Sequence, residues 1–499
     1  MEERLEPVQV AAEVDALAAA LDEARHRHVA GIDLEPDLSG AFARRPAAAH
    51  RETVRRLREA GEGALAARVA TLRAERAAAG REERWRAAEA RATGLGPDGP
   101  IGLADASLRL LAEPDRERRR WLGRALAEAC EAAAPDREAW VEERARARAE
   151  VGLAPDWDAV VGGDELLAAT DDAWADVLGW LARRELGLSP RPQGDLARAD
   201  LLHLLALRPL EGAFRPGMLA RELEGLASPL GLPLARIRVD AEPRPAKWPG
   251  AHAHGARVSF RPRGGAGDWQ DLFLAAGAAL AAAGPLPPHR RPLPFPAQLG
   301  SLLAGLLLEP AVLEKRLGVE RGRLRDAQRL LALRQLFQLR CAAAALRLAA
   351  EADRGCSGAA LREAHRDAFA RATLADWPDV LAARDGGAER HAARLAGAAR
   401  AEALRREWLE RYDEDWWRNP RAAEGAAGLL VSGGERGARR HPHAAEGAAE
   451  LLVSGGERGA RRHPRAAEGA AELFVSGGER GGEEPPAALG AARLLALLG

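Results

Sequence analysis

Residues Asp268 to Ala283 read DWQDLFLAAGAALAAA. From Leu272 onward the stretch carries no charge and no hydrogen-bonding side chain. A surface helix would show a polar stripe at its 3.6-residue period, so this run predicts a helix buried on all sides. Its twelve residues from Leu272 fall short of the ~20 needed to cross a bilayer. Upstream stands GARVSFRPRGGAGD, Gly255 to Asp268. Downstream, after a Pro-rich loop, a second apolar helix is predicted over Gln298–Leu308, followed by EPAVLEKRLG.

A strand, a Gly-Gly loop and a helix in this order resemble the oligoendopeptidase F and thimet oligopeptidase class of gluzincin zinc metallopeptidases. In that class the helix reads roughly D-x-x-x-L-x-H-E-x-G-H-A-L. Asp268, Leu272, Gly277, Ala279 and Leu280 suit the pattern. The chemistry does not. The first zinc histidine falls on Leu274, the general-base glutamate on Ala275 and the second histidine on Ala278. A zinc site needs two imidazoles one helical turn apart, and a carboxylate beside the first to take a proton from metal-bound water. The class's third ligand, a glutamate, falls on Pro294, in PFPAQ, and no Asp or Glu occurs between Leu272 and Leu308. The resemblance therefore implies a scaffold emptied of its metal site, with zinc expected in the class and absent here.

The composition is globular, with 47% hydrophobic and 29% charged residues. The formal net charge of −1 gives no footing for nucleic acid or an anionic membrane surface. Of the 73 basic residues only Lys247 and Lys315 are lysine, a bias that fits a GC-rich coding sequence. Arginine runs such as Arg118–Arg120 read as solvated helix faces. Cys130, Cys341 and Cys356 are scattered and read as small buried hydrophobes. MEERLEPVQV has neither a basic n-region nor an apolar h-region, and the expectation is a soluble cytoplasmic protein.

Residues 1–150 form an N-terminal helical region, with amphipathic patterns over Val8–Ala24, Glu52–Arg91 and Ala104–Ala132 and a break at Gly94–Gly102. His26, His28 and His50 fall on charged helical faces and are expected at the surface. Residues 151–418 form the metallopeptidase-like domain. Asp164–Arg184 predicts a helix anchored by Trp174 and Trp180. Further helices are predicted over Asp195–Leu207, Arg215–Leu230, Glu314–Glu351, Ser357–Arg371, Asp376–Ala383 and a segment ending near Trp408, Trp416 and Trp417. Arg236–Asp240 and Ala256–Phe260 alternate as strands, which places a small antiparallel sheet at about 236–262 beside the degenerate helix 268–283.

In the resembled class an edge strand pairs with the substrate backbone. That function uses main-chain groups and survives loss of the metal, which makes Arg257, Val258, Ser259 and Phe260 the peptide-binding candidates. His252 and His254 are the weak metal candidates, since residues two apart share a strand face, but no Asp, Glu or Cys nearby completes a site. The class also uses tyrosines and a histidine to stabilise an oxyanion; this chain has a single tyrosine, Tyr412, and His391 reads as a surface residue.

Residues 419–481 hold a tandem repeat of the unit [NH]-P-x-A-A-E-G-A-A-x-L-[LF]-V-S-G-G-E-R-G, its prolines Pro420, Pro442 and Pro464 spaced 22 residues apart. Each unit opens at a proline and closes on Ser-Gly-Gly, so each predicts one short helix. Residues 482–499 close the chain with a helix. The sequence thus predicts a mainly α, two-lobed helical bowl with one small antiparallel sheet. The resemblance implies a catalytically inactive homologue that binds peptide or a partner protein in the former cleft. The alternatives are an active oligopeptidase with a relocated site and an assembly protein acting through its repeats.

Overall fold

A computed structural model describes residues 6–153, 157–188, 195–382, 387–434 and 486–498. The architecture is mainly α. The central helix spans Gly267–Ala283. It stops at Gly284 and Pro285, where proline removes the next backbone donor. Its start is prepared by the Gly-Gly loop. The Asp268 carboxylate accepts from the backbone amides of Arg263 (2.8 Å) and Gly264 (2.7 Å). Gly265 has φ +85°, and a Cβ there would lie 2.0 Å from the Ala206 carbonyl oxygen, so only glycine fits.

The helix is buried on three sides: Trp269, Phe273, Ala276, Ala279 and Leu280 are at most 1% exposed. Burial is not complete, however. Asp271, Leu274, Ala278 and Ala282, three and four residues apart, form a half-buried stripe. Beyond Asp271 the residues there are apolar or small, which hides the stripe from a reading of polarity alone.

The second apolar helix spans Pro294–Leu306 and packs along the central one. Against its other side lies the helix Ala388–Tyr412. Gly397 makes that contact close, since a Cβ there would lie 2.6 Å from Ala297 Cβ. The long helix Leu324–Asp353 crosses behind. Arg340, fully buried, ties it to two neighbours by donating to the carbonyls of Ala372 (2.6 Å) and Leu167 (3.0 Å) and to Asp171 (2.6 Å). The Trp174 indole adds a bond to the Thr373 carbonyl (3.1 Å). Trp174 is the expected core anchor, while Trp180 is partly buried against the same core.

The N-terminal part has its own apolar cluster, in which Val10, Val14, Leu17 and Leu21 of the helix Pro7–Val29 meet Val54, Leu57, Leu65 and Val69. The expected break at Gly94–Gly102 is a hairpin, β1 (Thr93–Gly96) antiparallel to β2 (Gly99–Gly102). Asp376–Ala383 does not continue as a helix: its described part has one 3-10 turn, Asp379–Leu381. Pro378 disfavours helical backbone at Trp377, and Asp376 is instead bridged to Leu196 and Arg198 through backbone bonds of 2.8 and 3.0 Å.

Two surface expectations change. His26 and His28 are buried, 5% and 2% exposed, because the end of their helix is pinned under the sheet: Trp248 donates to the Val29 carbonyl (2.9 Å) and Arg244 to that of Ala30 (3.0 Å). Within the arginine run, Arg119 is fully buried against Asp200 (2.9 Å), which also accepts from Arg116 and Arg120 at 3.2 and 3.3 Å. Cys130 is buried, and Cys341 and Cys356 are partly so.

The larger sheet has three strands in the order β3 (Arg238–Asp240), β5 (Arg257–Arg261), β4 (Gly250–His254). β4 and β5 form an antiparallel hairpin, and β3 joins the far side of β5 in parallel. The hairpin turns at Gly255, φ +56°. The first repeat unit forms the helix Pro420–Ser432, capped by Asn419 and seated on the core through Ala422, Ala426, Leu429 and Leu430. The second and third units lie outside the described residues. The last helix spans Pro486–Leu498. No helix among the described residues is long and apolar enough to cross a membrane.

Candidate functional site

The positions that would carry zinc chemistry lie along the half-buried stripe of the central helix. Leu274 and Ala278 are half-buried there, and Ala275, 7% exposed, turns toward the core. Leu274 lines a cavity of about 60 Å³ with Gln338, Arg394 and Arg405. Pro294 is half-buried at the start of the second helix, where its carbonyl faces Gly397. None of these four side chains has a donor atom for a metal. One acid does share the stripe: Asp271, one turn before Leu274. It is bound by Arg263 and by Arg334 (2.7 Å) and accepts from Gln338 (3.1 Å), so its charge is answered by two guanidiniums. These residues do not fit a zinc ion, and among the described residues no group of three His, Cys, Asp or Glu side chains converges as a metal site.

His252 and His254 share a face of β4, as their spacing requires, and pair across to Ser259 and Arg257. His252 Nε2 lies 3.0 Å from the Pro249 carbonyl oxygen. Burial, then the charges of Arg390 and Arg25, hold His254 well below the ordinary histidine range. It is therefore neutral at pH 7, in a positive potential that repels a metal cation. His289 is engaged elsewhere, its Nδ1 2.8 Å from Asp15 Oδ2. His391 is partly buried and lines a cavity of about 50 Å³ with Trp140, Arg144 and His365.

The strand proposed for peptide contact is displaced by one position in the sheet. Arg257, Val258 and Ser259 are paired on both sides, to β3 and to β4. Val258 and Ser259 are fully buried and Phe260 is 8% exposed. A strand with both edges bonded has no free amide row to offer. β3 and β4 are the two edge strands, and β4 is the one beside the central helix, so strand addition next to that helix would fall on β4. Alternation in the sequence marks a strand but does not say where it sits in the sheet order.

Charges that the sequence does not group meet in front of β4. Arg25 binds Glu75 (2.9 Å) and Glu82 (3.4 Å), and Arg86 binds Glu82 (2.9 Å). Burial would raise the Glu75 carboxyl; against it, the pull of Arg25, then of Arg390, Arg144 and Arg68, brings it down to about 2. Asp22 goes the other way, raised by burial despite Arg25, Arg390 and Arg68. A cavity of about 710 Å³ opens between Asp22 and Arg68 on one side and Arg290, Arg291 and Pro292 of the Pro-rich loop on the other.

A mainly helical body with a small sheet at the start of a buried helix has the peptidase-class fold of oligoendopeptidase F. Among solved structures, "putative Oligoendopeptidase F" aligns over 96% of this chain and 97% of its own, with a TM-score of 0.52 at 13% identity. "PZ PEPTIDASE A with inhibitor 2" aligns over 84% and 86% at 12% identity with a TM-score of 0.47. "Putative peptidase from Chlamydophila abortus" aligns over 98% and 80% at 12% identity with a TM-score of 0.46. At the level of sequence, no family model and no curated protein matches.

Proposed function

We propose that this chain is a non-catalytic relative of the peptidases, whose chamber binds an extended peptide or a segment of a partner protein. The observation that carries the reading is the central helix itself. Leu274, Ala275 and Ala278 stand where the resemblance puts two zinc ligands and the base, and none has an atom able to do that work. An open cavity of about 710 Å³ lies between the N-terminal helices and the Pro-rich loop that follows the central helix, within the ~300–1,000 Å³ range of ligand sites. The hairpin that carries the edge strand β4 turns at Gly255 against Asp22 of the cavity wall, and peptide recognition by strand addition needs only main-chain groups.

The test is metal analysis and peptide chemistry on untagged protein. The expected results are no stoichiometric zinc, no cleavage of quenched fluorogenic oligopeptides, and saturable binding of some of those peptides. About one zinc per chain together with chelator-sensitive cleavage would overturn the reading in favour of a relocated active site.

A further inference from the structure

The arginines around the chamber are unevenly committed. Arg25 and Arg86 are bound to Glu75 and Glu82. Arg291 donates to the carbonyls of Ala282 (2.9 Å) and Leu286 (3.0 Å). Arg68 lines the open cavity and, among the described residues, makes no hydrogen bond or ion pair; its Nε is buried without an acceptor. Arg390, on the helix Ala388–Tyr412, likewise reaches no carboxylate among the described residues. Its side chain is exposed, yet the charges that act on it are those of Arg25, Glu75, Glu82 and Arg86. It also acts on Asp22, which lines the cavity.

Both uncommitted guanidiniums act on Asp22 and on Glu75, so they flank the same two acids. Six guanidiniums, Arg25, Arg68, Arg86, Arg290, Arg291 and Arg390, thus lie around four carboxylates, Asp22, Glu62, Glu75 and Glu82. The interior keeps a positive excess although the whole chain is formally −1. Low-dielectric walls strengthen such a field. A free guanidinium with a buried Nε also lacks the planar, bidentate partner that a carboxylate supplies.

We propose that the ligand of the chamber is an acidic peptide segment, whose side-chain carboxylates are held by Arg68 and Arg390. This rests on the peptide-binding reading above and narrows it to a class of ligand. The arrangement is selective in both directions: a carboxylate completes two unfilled guanidiniums, whereas a lysine side chain would enter an already positive space.

The experiment uses the full chain and three coumarin-labelled octapeptides blocked at both ends, identical but for two interior positions occupied by glutamate, glutamine or lysine. Binding is read by fluorescence anisotropy. The glutamate peptide is expected to bind ~10-fold or more tightly than the glutamine peptide, and the lysine peptide most weakly. The double variant Arg68→Gln/Arg390→Gln should bring the glutamate peptide down to the glutamine level with an unchanged melting temperature, since neither side chain holds a partner among the described residues. Arg68→Lys/Arg390→Lys, which keeps the charge but loses the fork, should retain part of the preference. Equal binding of the glutamate and glutamine peptides removes the acidic preference and leaves the peptide reading standing. A preference that survives in the glutamine double variant overturns the assignment to these two arginines. Binding of none of the three overturns both readings.

Discussion

A Cβ built on Gly277 would lie 2.5 Å from the Cα of Gly300, and one on Gly300 would lie 2.5 Å from the Leu274 carbonyl oxygen. The central helix and its neighbour therefore touch backbone to backbone. Glycine inside a helix ordinarily costs ~0.5–1 kcal/mol relative to alanine; here no side chain fits. Gly277→Val should destabilise the protein by roughly 2–3 kcal/mol and Gly277→Ala by about 1, from overpacking. Urea unfolding of the two variants measures it, and a Gly277→Ala protein as stable as the parent would show that the crossing is loose.

Asp200 and Arg119 are both fully buried. Asp200→Ala strands a buried guanidinium and should cost about 3–5 kcal/mol. Arg116 and Arg120 can turn to water, as each is 31% exposed. The double variant Arg119→Met/Asp200→Leu removes both buried charges and should recover most of the loss. If the double were as unstable as Asp200→Ala, the cost would lie in packing rather than in the unpaired charge.

Burial and the nearby Arg86 charge bring the His28 imidazole down to about 4 from an ordinary 6.5. The unfolded chain then binds the proton more readily than the folded one. The associated stability is fully present above pH 6.5 and is lost as pH falls toward 4, by up to about 3 kcal/mol for this one group. His26 and His254 are lowered too and act in the same sense. Glu75 enters only below about 4.5, its ordinary value, while Asp22 and Asp353, raised by burial, act in the opposite sense, so the comparison with His28→Gln isolates the imidazole. Thermal melts from pH 6.5 to 4.5 should show a steady decline that flattens in His28→Gln. An unchanged slope in that variant would place the titration elsewhere.

Deleting His441–Arg462, one whole repeat unit, should shift the melting temperature by less than ~5 °C, because a duplicated unit adds few long-range contacts. Ala426→Arg in the first unit is the contrast. Ala426 is fully buried, and the substitution should lower stability by ~2 kcal/mol or more through overpacking and an unpaired charge. A large loss on deletion would mean that the second unit also contributes to the core.

What the sequence determined by itself was local. The uncharged run after Asp271 specifies a buried helix, Gly284 and Pro285 end it, and the alternation at Arg257–Phe260 specifies a strand. The lack of metal donors at Leu274, Ala275 and Ala278 is likewise legible, because ligand chemistry belongs to the side chain and needs no neighbour to be absent. The tertiary structure decided whatever depends on partners far along the chain. Asp200 buries Arg119 from 81 residues away, in a run that reads as a solvated face. β3 occupies the second edge of β5, which moves the free edge to β4. His28 is buried with its ring against the Leu34 carbonyl and beside Arg86 and Glu89 of another helix. Arg68 and Arg390 come to flank the same two acids although more than 300 residues separate them in sequence. Periodicity reports which way a side chain faces on its own element; burial and charge depend on what the rest of the chain places in front of it.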